Sequence, residues 1–479
     1  MRSLLLLPFV LCPFAIGWSQ SPYPPLDEIR ENAPVIVITH VTLIDGTGAP
    51  ALPDQSVVIR DGKIAAVGPT AQITTPAGGK VIDATGHTLI PGLVGMHEHL
   101  FYPMPNPRAP IFIELPSSFP RLYLASGVTT ARTTGSIEPY TDLETKRDID
   151  AGRIPGPKFD LTGPYVEGAP AGYQQMHGLS GADEAREFVR YWHSTGFTSV
   201  KAYTNVTPDE LRAAIEEAHR LGMKITGHLC SVGYLEAAAM GIDDLEHGPF
   251  SAPDSDLYSK RKPGSCDDSY GDMMKELAGQ TDPEGPQLQE TIRQLVAHHV
   301  AITSTLAVIE GGTRPPIEHE FNGRSRLLMN PASWSQAMTS RAFETTVDDQ
   351  ILARLKKEMK FEHAFVKAGG MLLAGCDPTG DGHVLAGLGD QRQLELLVEA
   401  GFTVPEAVKI YTLNGATFLG QDQHIGSVAV GKQADLVLLK GNLDKDVTAI
   451  ENPELVFKDG VGFDSEKIYQ SILGLVGVR

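Results

Sequence analysis

Cysteine is scarce in this chain, with four in 479 residues, and tryptophan is scarcer still, with three. Cys12 lies in an apolar leader, which leaves Cys230, Cys266 and Cys376. Three widely spaced cysteines exclude a disulfide framework standing in for a hydrophobic core, while a single bridge stays open. Basic side chains are also few, 40 Lys and Arg against 59 Asp and Glu, for a net charge of −19. A chain this acidic has no electrostatic footprint for nucleic acid or an anionic membrane surface, and neither is expected as a partner. Beyond the first 20 residues no apolar run is long enough to span a bilayer.

The composition that remains is that of a globular enzyme, 42% hydrophobic and 21% charged. The length suits one large domain and a smaller one. The opening MRSLLLLPFVLCPFAIGWSQ has an Arg, an apolar stretch and then small residues. Gly17 and Ser19 fit a cleavage site, so residues 1–19 are expected to be a signal peptide and the mature chain to begin near Gln20. Leu11 occupies a position where lipidation of Cys12 would want a small residue, which argues against a lipoprotein. The expected protein is therefore exported, periplasmic or secreted, with no membrane attachment after cleavage. Composition leaves a homo-oligomer open.

Residues 35–90 read as short strands and turns, with RDGK as a hairpin turn, and a similar pattern returns in GSVAVGKQADLVLLKG and PELVFKDG. Both ends thus predict one small β-sandwich domain, from 20–92 and 421–479. Between them strands and helices alternate. TPDELRAAIEEAHRLG carries Thr207 as N-cap, Pro208 in the first turn, Glu210 closing a capping box and Gly222 at the end. Ser180 and Gly196 bound another helix, and GYLEAAAMG a third. Apolar strands are predicted at 92–99, 127–134, 158–164, 198–203, 223–228, 242–247, 300–305 and 371–377. This is the pattern of an α/β protein, a TIM-like (β/α)8 barrel over 93–420. Two excursions, 248–290 and 307–350, follow strand ends and predict lid or specificity loops.

Ligand-type residues gather at those strand ends. His97 and His99 leave the first strand on one face, since alternate residues share a side. Lys201 lies on the fourth strand, His228 ends the fifth, His247 ends the sixth and Asp377 ends the eighth. Each alone has a structural explanation; together, at one end of one barrel, they point to a metal site.

The motifs PGLVGMHEHL, TSVKAY, ITGHL, DLEHG and LLAGCDP resemble those of the amidohydrolase superfamily. The resemblance is closest to its binuclear imidazolonepropionase-like and prolidase-like branch, which includes Xaa-Pro dipeptidases, N-acyl-amino-acid hydrolases and ochratoxin amidase. It spans nearly the whole mature chain and departs at GVTTARTTG, where Arg132-Thr133 stands in place of the branch's Arg-Asp. It implies that His97, His99 and Asp377 hold one divalent ion and His228 and His247 a second. Lys201, carboxylated by CO2, would bridge both together with a hydroxide. Zinc suits His and carboxylate donors. Asp377 would be the general base, and the reaction hydrolysis of an amide C–N bond in a dipeptide or N-acyl amino acid. Tyr203, His177, Tyr234, Arg132 and His383 are the candidate contacts to a small-molecule or short-peptide substrate. The alternatives are a cyclic-amide hydrolase of the imidazolonepropionase type and a non-catalytic metal-binding scaffold.

Overall fold

The computed structural model describes residues 26–477 apart from 105–110, 253, 261, 263, 267–269, 313–322, 344–347 and 379–383. The proposed signal peptide and start at Gln20 therefore lie outside the described residues.

Eight short parallel strands follow one another through the middle of the chain. They are β1 (Leu93–Glu98), β2 (Val128–Thr133), β3 (Thr162–Gly168), β4 (Ser199–Ala202), β5 (Lys224–Gly227), β6 (Asp244–Glu246), β7 (Ala301–Ser304) and β8 (Leu372–Ala374). Every β1 and β2 residue is buried, as expected for parallel strands covered on both faces. β1 pairs with β2, and β2 with the segment Lys158–Asp160 that leads through Leu161 into β3. β3 to β8 then pair in sequence order. The two runs meet again where the Asp377 amide donates to the His97 carbonyl at 3.0 Å. Gly375 makes that approach feasible, because a Cβ there would lie 2.2 Å from the His97 amide nitrogen.

Helices cover this α/β layer. Pro208–Arg220 starts with the expected capping box, in which Thr207 accepts from the Glu210 amide and Glu210 accepts from that of Thr207. Its Leu211, Ala214, Ile215 and Ala218 form the buried stripe. The preceding helix, Ala182–Thr195, departs from expectation at its start: Gly181, not Ser180, is the cap residue. Glu184 captures both the amide and the hydroxyl of Ser180, at 2.7 and 2.6 Å, which leaves that side chain unable to cap. The excursions expected to be loops contain helices, Tyr270–Gly279 in the first and Arg324–Leu328 and Pro331–Phe343 in the second. Asp348–Lys367 begins within the second and continues toward β8.

The two ends of the chain meet in one mixed sheet of nine strands. There Leu436–Lys440 pairs antiparallel with His87–Pro91, joining the C-terminal strands to the N-terminal ones. At the level of hydrogen bonding the expected sandwich is one connected sheet. Asp61 and Gly62, with φ of 51° and 76°, make the tight turn foreseen in RDGK. Cys230 and Cys266 form a disulfide that ties the segment after β5 to the first excursion, and Cys376 is free and buried. Among the described residues no helix is long and apolar enough to cross a membrane.

Candidate metal centre and active site

The C-terminal ends of the parallel strands open into a cavity of about 410 Å3. His97, His99, Lys201, His228, His247 and Asp377 all line it. The sequence places these residues at separate strand ends, and the parallel pairing brings those ends together.

Hydrogen bonds orient the rings. His97 Nδ1 donates to Glu246 Oε2 at 2.7 Å, turning its Nε2 toward Lys201 Nζ at 3.3 Å and Asp377 Oδ2 at 3.7 Å. His99 Nδ1 donates to the Gly135 carbonyl at 3.3 Å, and its Nε2 lies 3.5 Å from Asp377 Oδ1. His247 Nδ1 is 2.7 Å from Thr305 Oγ1 and 3.7 Å from Asp377 Oδ2. The His228 and His247 ring centres are 4.7 Å apart. A second partner that fixes an imidazole's tautomer is a regular feature of metal-binding histidines.

Burial sets the charge state. It holds His97, His99 and His247 well below the ordinary histidine value, with Lys201 adding to the effect in each. His228 is lowered to about 3, by burial and then by Lys201. These imidazoles are neutral and carry lone pairs, the state a metal needs. Lys201 is itself lowered by burial, against the opposing pull of Glu246 and Asp377. Burial would raise Glu246, but Arg132 and Lys201 outweigh it and keep the carboxylate ionised.

The substrate-contact candidates separate. Tyr203 lines the cavity, its ring centre 5.1 Å from that of His228. Arg132 does not line it: the guanidinium is buried beneath, bonded to the Met96 carbonyl at 2.8 Å, Glu246 at 3.0 Å and Asp244 at 3.1 Å. It neutralises the acid that orients His97 and stands outside the cavity lining. Tyr234 is likewise a core residue, with its hydroxyl donating to the Ala252 carbonyl at 3.1 Å. His177 is exposed and engaged with Glu184 at 2.8 Å, away from the cavity. His383 lies outside the described residues. The structure adds Tyr165, Tyr173 and Arg354 to the wall and Glu246 behind it, none of them foreseen. DLEHG offered a signal for Glu246, an acid next to a ligand-type histidine; nothing in sequence marked the other three.

Comparison with known families matches residues 88–461 to the amidohydrolase family. The chain belongs to that family. Among curated relatives, the imidazolonepropionase of Geobacillus sp. (strain WCH70) is 23% identical over 433 residues, covering 85% of this chain and 90% of the relative. An enamidase of Eubacterium barkeri is 26% identical over 208 residues, covering 41% of this chain and 50% of the relative. Among solved structures, a Xaa-Pro dipeptidase with bound methionine aligns at a TM-score of 0.65 and 20% identity, over 90% of this chain and 100% of that one. The ochratoxinase of A. niger aligns at 0.62 and 20% identity, over 91% and 96%. This amidohydrolase is an enzyme, a hydrolase of carbon–nitrogen bonds, and the scaffold reading falls away.

Proposed function

We propose that this amidohydrolase is an exported, metal-dependent enzyme that hydrolyses the amide bond of dipeptides or N-acyl amino acids. The observation that carries the reading is the convergence of four histidines, Lys201 and Asp377 on one cavity. The donor set fits divalent ions. Donor atoms of His97, His247 and Asp377 lie within 4.8 Å of one another, and the Nδ1 bonds of His97 and His99 leave Nε2 lone pairs facing the cavity. His97, His99 and Asp377 would hold one ion and His228 and His247 a second, with zinc the natural choice for these donors. Such ions, when bound, supply Lewis acidity for a carbonyl oxygen and lower the pKa of water.

The chain's own groups do the rest. Lys201, kept toward its neutral form by burial, would add through nitrogen to CO2 with loss of one proton, and the resulting carbamate would offer two oxygen donors to the ions. Asp377 accepts a proton from the attacking water and delivers it to the leaving nitrogen as the C–N bond breaks. One water is consumed, and a carboxylic acid and an amine are released. Tyr203 and Tyr165, with ring centres 5.0 Å apart, form an aromatic wall against which a side chain or acyl group packs.

The eight strands are proposed to close as a (β/α)8 barrel at 93–420, supported by the Asp377–His97 bond at one seam and the Ser136–Pro164 bridge at the other. The sheet built from both chain ends is proposed as the separate small domain, of β-sandwich type. Export is supported by the leader of residues 1–19 and by the Cys230–Cys266 disulfide, a bond of oxidising compartments.

A second reading, a cyclic-amide hydrolase, draws support from the imidazolonepropionase that aligns over 85% of the chain. Lys201 inside the ligand cluster weighs against it, because a bridging lysine has no place in a mononuclear centre. Elemental analysis and a screen of dipeptides, N-acyl amino acids and cyclic amides on the metal-loaded protein decide. Two ions per chain and turnover of linear amides are expected; one ion and turnover of cyclic amides alone would move the assignment to the second reading.

A further inference from the structure

We propose that an arc of aromatic rings along one side of the cavity selects amides that carry an aromatic group, and that Gln175 sets the position of its central ring, Phe112. The inference deepens the linear-amide reading and rests on it. Apart from the main core, the chain builds a small apolar cluster around Phe101, Phe112 and Tyr165, with Tyr173 and Tyr203 packed on it. Every member of that cluster lines the cavity, which makes it a wall and not a second core. Its rings run in order from one ligand-type histidine to another. Between ring centres, His99 lies 4.4 Å from Phe101, Phe101 5.0 Å from Phe112, and Phe112 5.1 Å from Tyr173. Tyr173 then stands 6.2 Å from Tyr203, and Tyr203 5.1 Å from His228. An amide whose carbonyl sits among these histidines therefore lies alongside the arc.

Ring geometry favours an aromatic guest over an aliphatic one. The planes of Phe101 and Phe112 meet at 65°, those of Phe112 and Tyr173 at 89°, and those of Tyr165 and Tyr203 at 67°. Rings tiled edge to face offer both edges and faces, and a planar ring meets their quadrupoles with an attraction that a saturated ring of the same size lacks. The arc is also set before substrate arrives. Phe112 stands opposite Pro103 in the hairpin of Phe101–Met104 and Ile111–Glu114. Proline has no N–H to give, and the amide and carbonyl of Phe112 both go to one side chain. Gln175 Oε1 accepts from the Phe112 amide at 2.7 Å, and Gln175 Nε2 donates to the Phe112 carbonyl at 2.9 Å. Gln175 lies two residues beyond Tyr173 and one before Met176, both in the cavity wall. The clamp thus fixes the hairpin's ring against the segment that supplies the next one. A wall ordered in advance leaves less entropy to be lost on binding.

The test compares linear amides bearing a phenyl or a cyclohexyl side chain, placed on either side of the same scissile bond, with a methyl-bearing amide as control. Wild-type enzyme should favour phenyl over cyclohexyl in kcat/KM by on the order of ten-fold on one side of the bond, the scale of two aromatic contacts. Phe112→Leu should remove most of that preference by lowering kcat/KM for the phenyl substrate, with a change of no more than a few-fold for the methyl control. Gln175→Ala keeps every ring and removes the clamp, so it should weaken the same preference to a lesser degree, chiefly through KM. A Gln175→Ala protein with the full phenyl preference would take Gln175 out of the proposal. Wild-type enzyme indifferent to phenyl against cyclohexyl on both sides, or equal loss on phenyl and methyl substrates in Phe112→Leu, would overturn it while leaving linear-amide hydrolysis intact. Failure of wild-type enzyme on every linear amide would instead remove the functional reading and this inference with it.

Discussion

Asp377 and His247 both hold left-handed backbone, with φ of 50° and 72°. Residues with side chains visit that region at a cost of roughly 1–3 kcal/mol, and such strain gathers where a side chain must be aimed. Here it turns both groups into the cavity, where Asp377 faces His97, His99 and His247 within 3.7 Å. Asp377→Asn keeps the shape but loses the proton acceptor, so kcat should fall by about 10²–10⁴-fold. Rates within a few-fold of wild type at full metal loading would take Asp377 out of the proton transfer. Lys201 makes a sharper test, because its proposed role requires a modification. Lys201→Ala should lose metal and most activity, with formate or acetate restoring part of both by filling the gap. Lys201→Arg should fail too, since a guanidinium does not take up CO2. A Lys201→Ala protein that binds two ions and turns over normally without added carboxylate would reduce the lysine to a structural part.

At the scale of elements, the strands were the most legible feature of the sequence. β1, β2 and β4 to β8 each fall inside a predicted span with their ends one to three residues short, because buried parallel strands write unbroken apolar runs bounded by turns. The predicted third strand proved to be two, interrupted at Leu161. The ligand-type residues were readable for the same reason, since strand ends fix where they go. The cavity wall was not readable. Arg354 and Ile351 come from a helix that begins only at the end of a long excursion, and its placement depends on tertiary contacts such as Glu358 with Phe250. Arg132 misled because its partners, Asp244 and Glu246, are more than 100 residues away and turn it beneath the site. The disulfide was equally silent, as three cysteines offer three pairings. Cys230–Cys266 closes a separation of 36 residues, for which the loss of loop-closure entropy predicts about 2–4 kcal/mol of stabilisation. Cys230→Ser with Cys266→Ser should therefore lower the denaturation midpoint by that equivalent and speed proteolysis of the 248–290 excursion. Unchanged stability, with two reactive thiols in the unfolded wild-type protein beside Cys376, would show that the bond does not form.

At the scale of the whole molecule, burial has trapped two kinds of titratable group whose effects on stability run in opposite directions. Burial raises Glu362 from 4.5 to about 8 against a weaker opposing effect of Ser304, and raises Asp142 from 3.8 to about 7. A raised carboxyl keeps its proton in the folded state, so its contribution is complete below the unfolded value and is lost as pH climbs through 7 to 8. The histidines act the other way. His228 falls from 6.5 to about 3, so its contribution is complete above 6.5 and is lost as pH falls below that value. Metal binding reinforces this acid-side loss, because a protonated imidazole cannot be a ligand. The two limbs overlap between the unfolded values of 4.5 and 6.5, and the thermal midpoint should peak there. Melting curves from about pH 4 to 9 test this. Glu362→Gln removes one of the protons lost on the alkaline side, so its midpoint should decline less steeply above pH 6.5 than that of the wild type. A wild-type midpoint that keeps rising through pH 8 would mean that the buried carboxyls are already ionised at neutrality and held by cations.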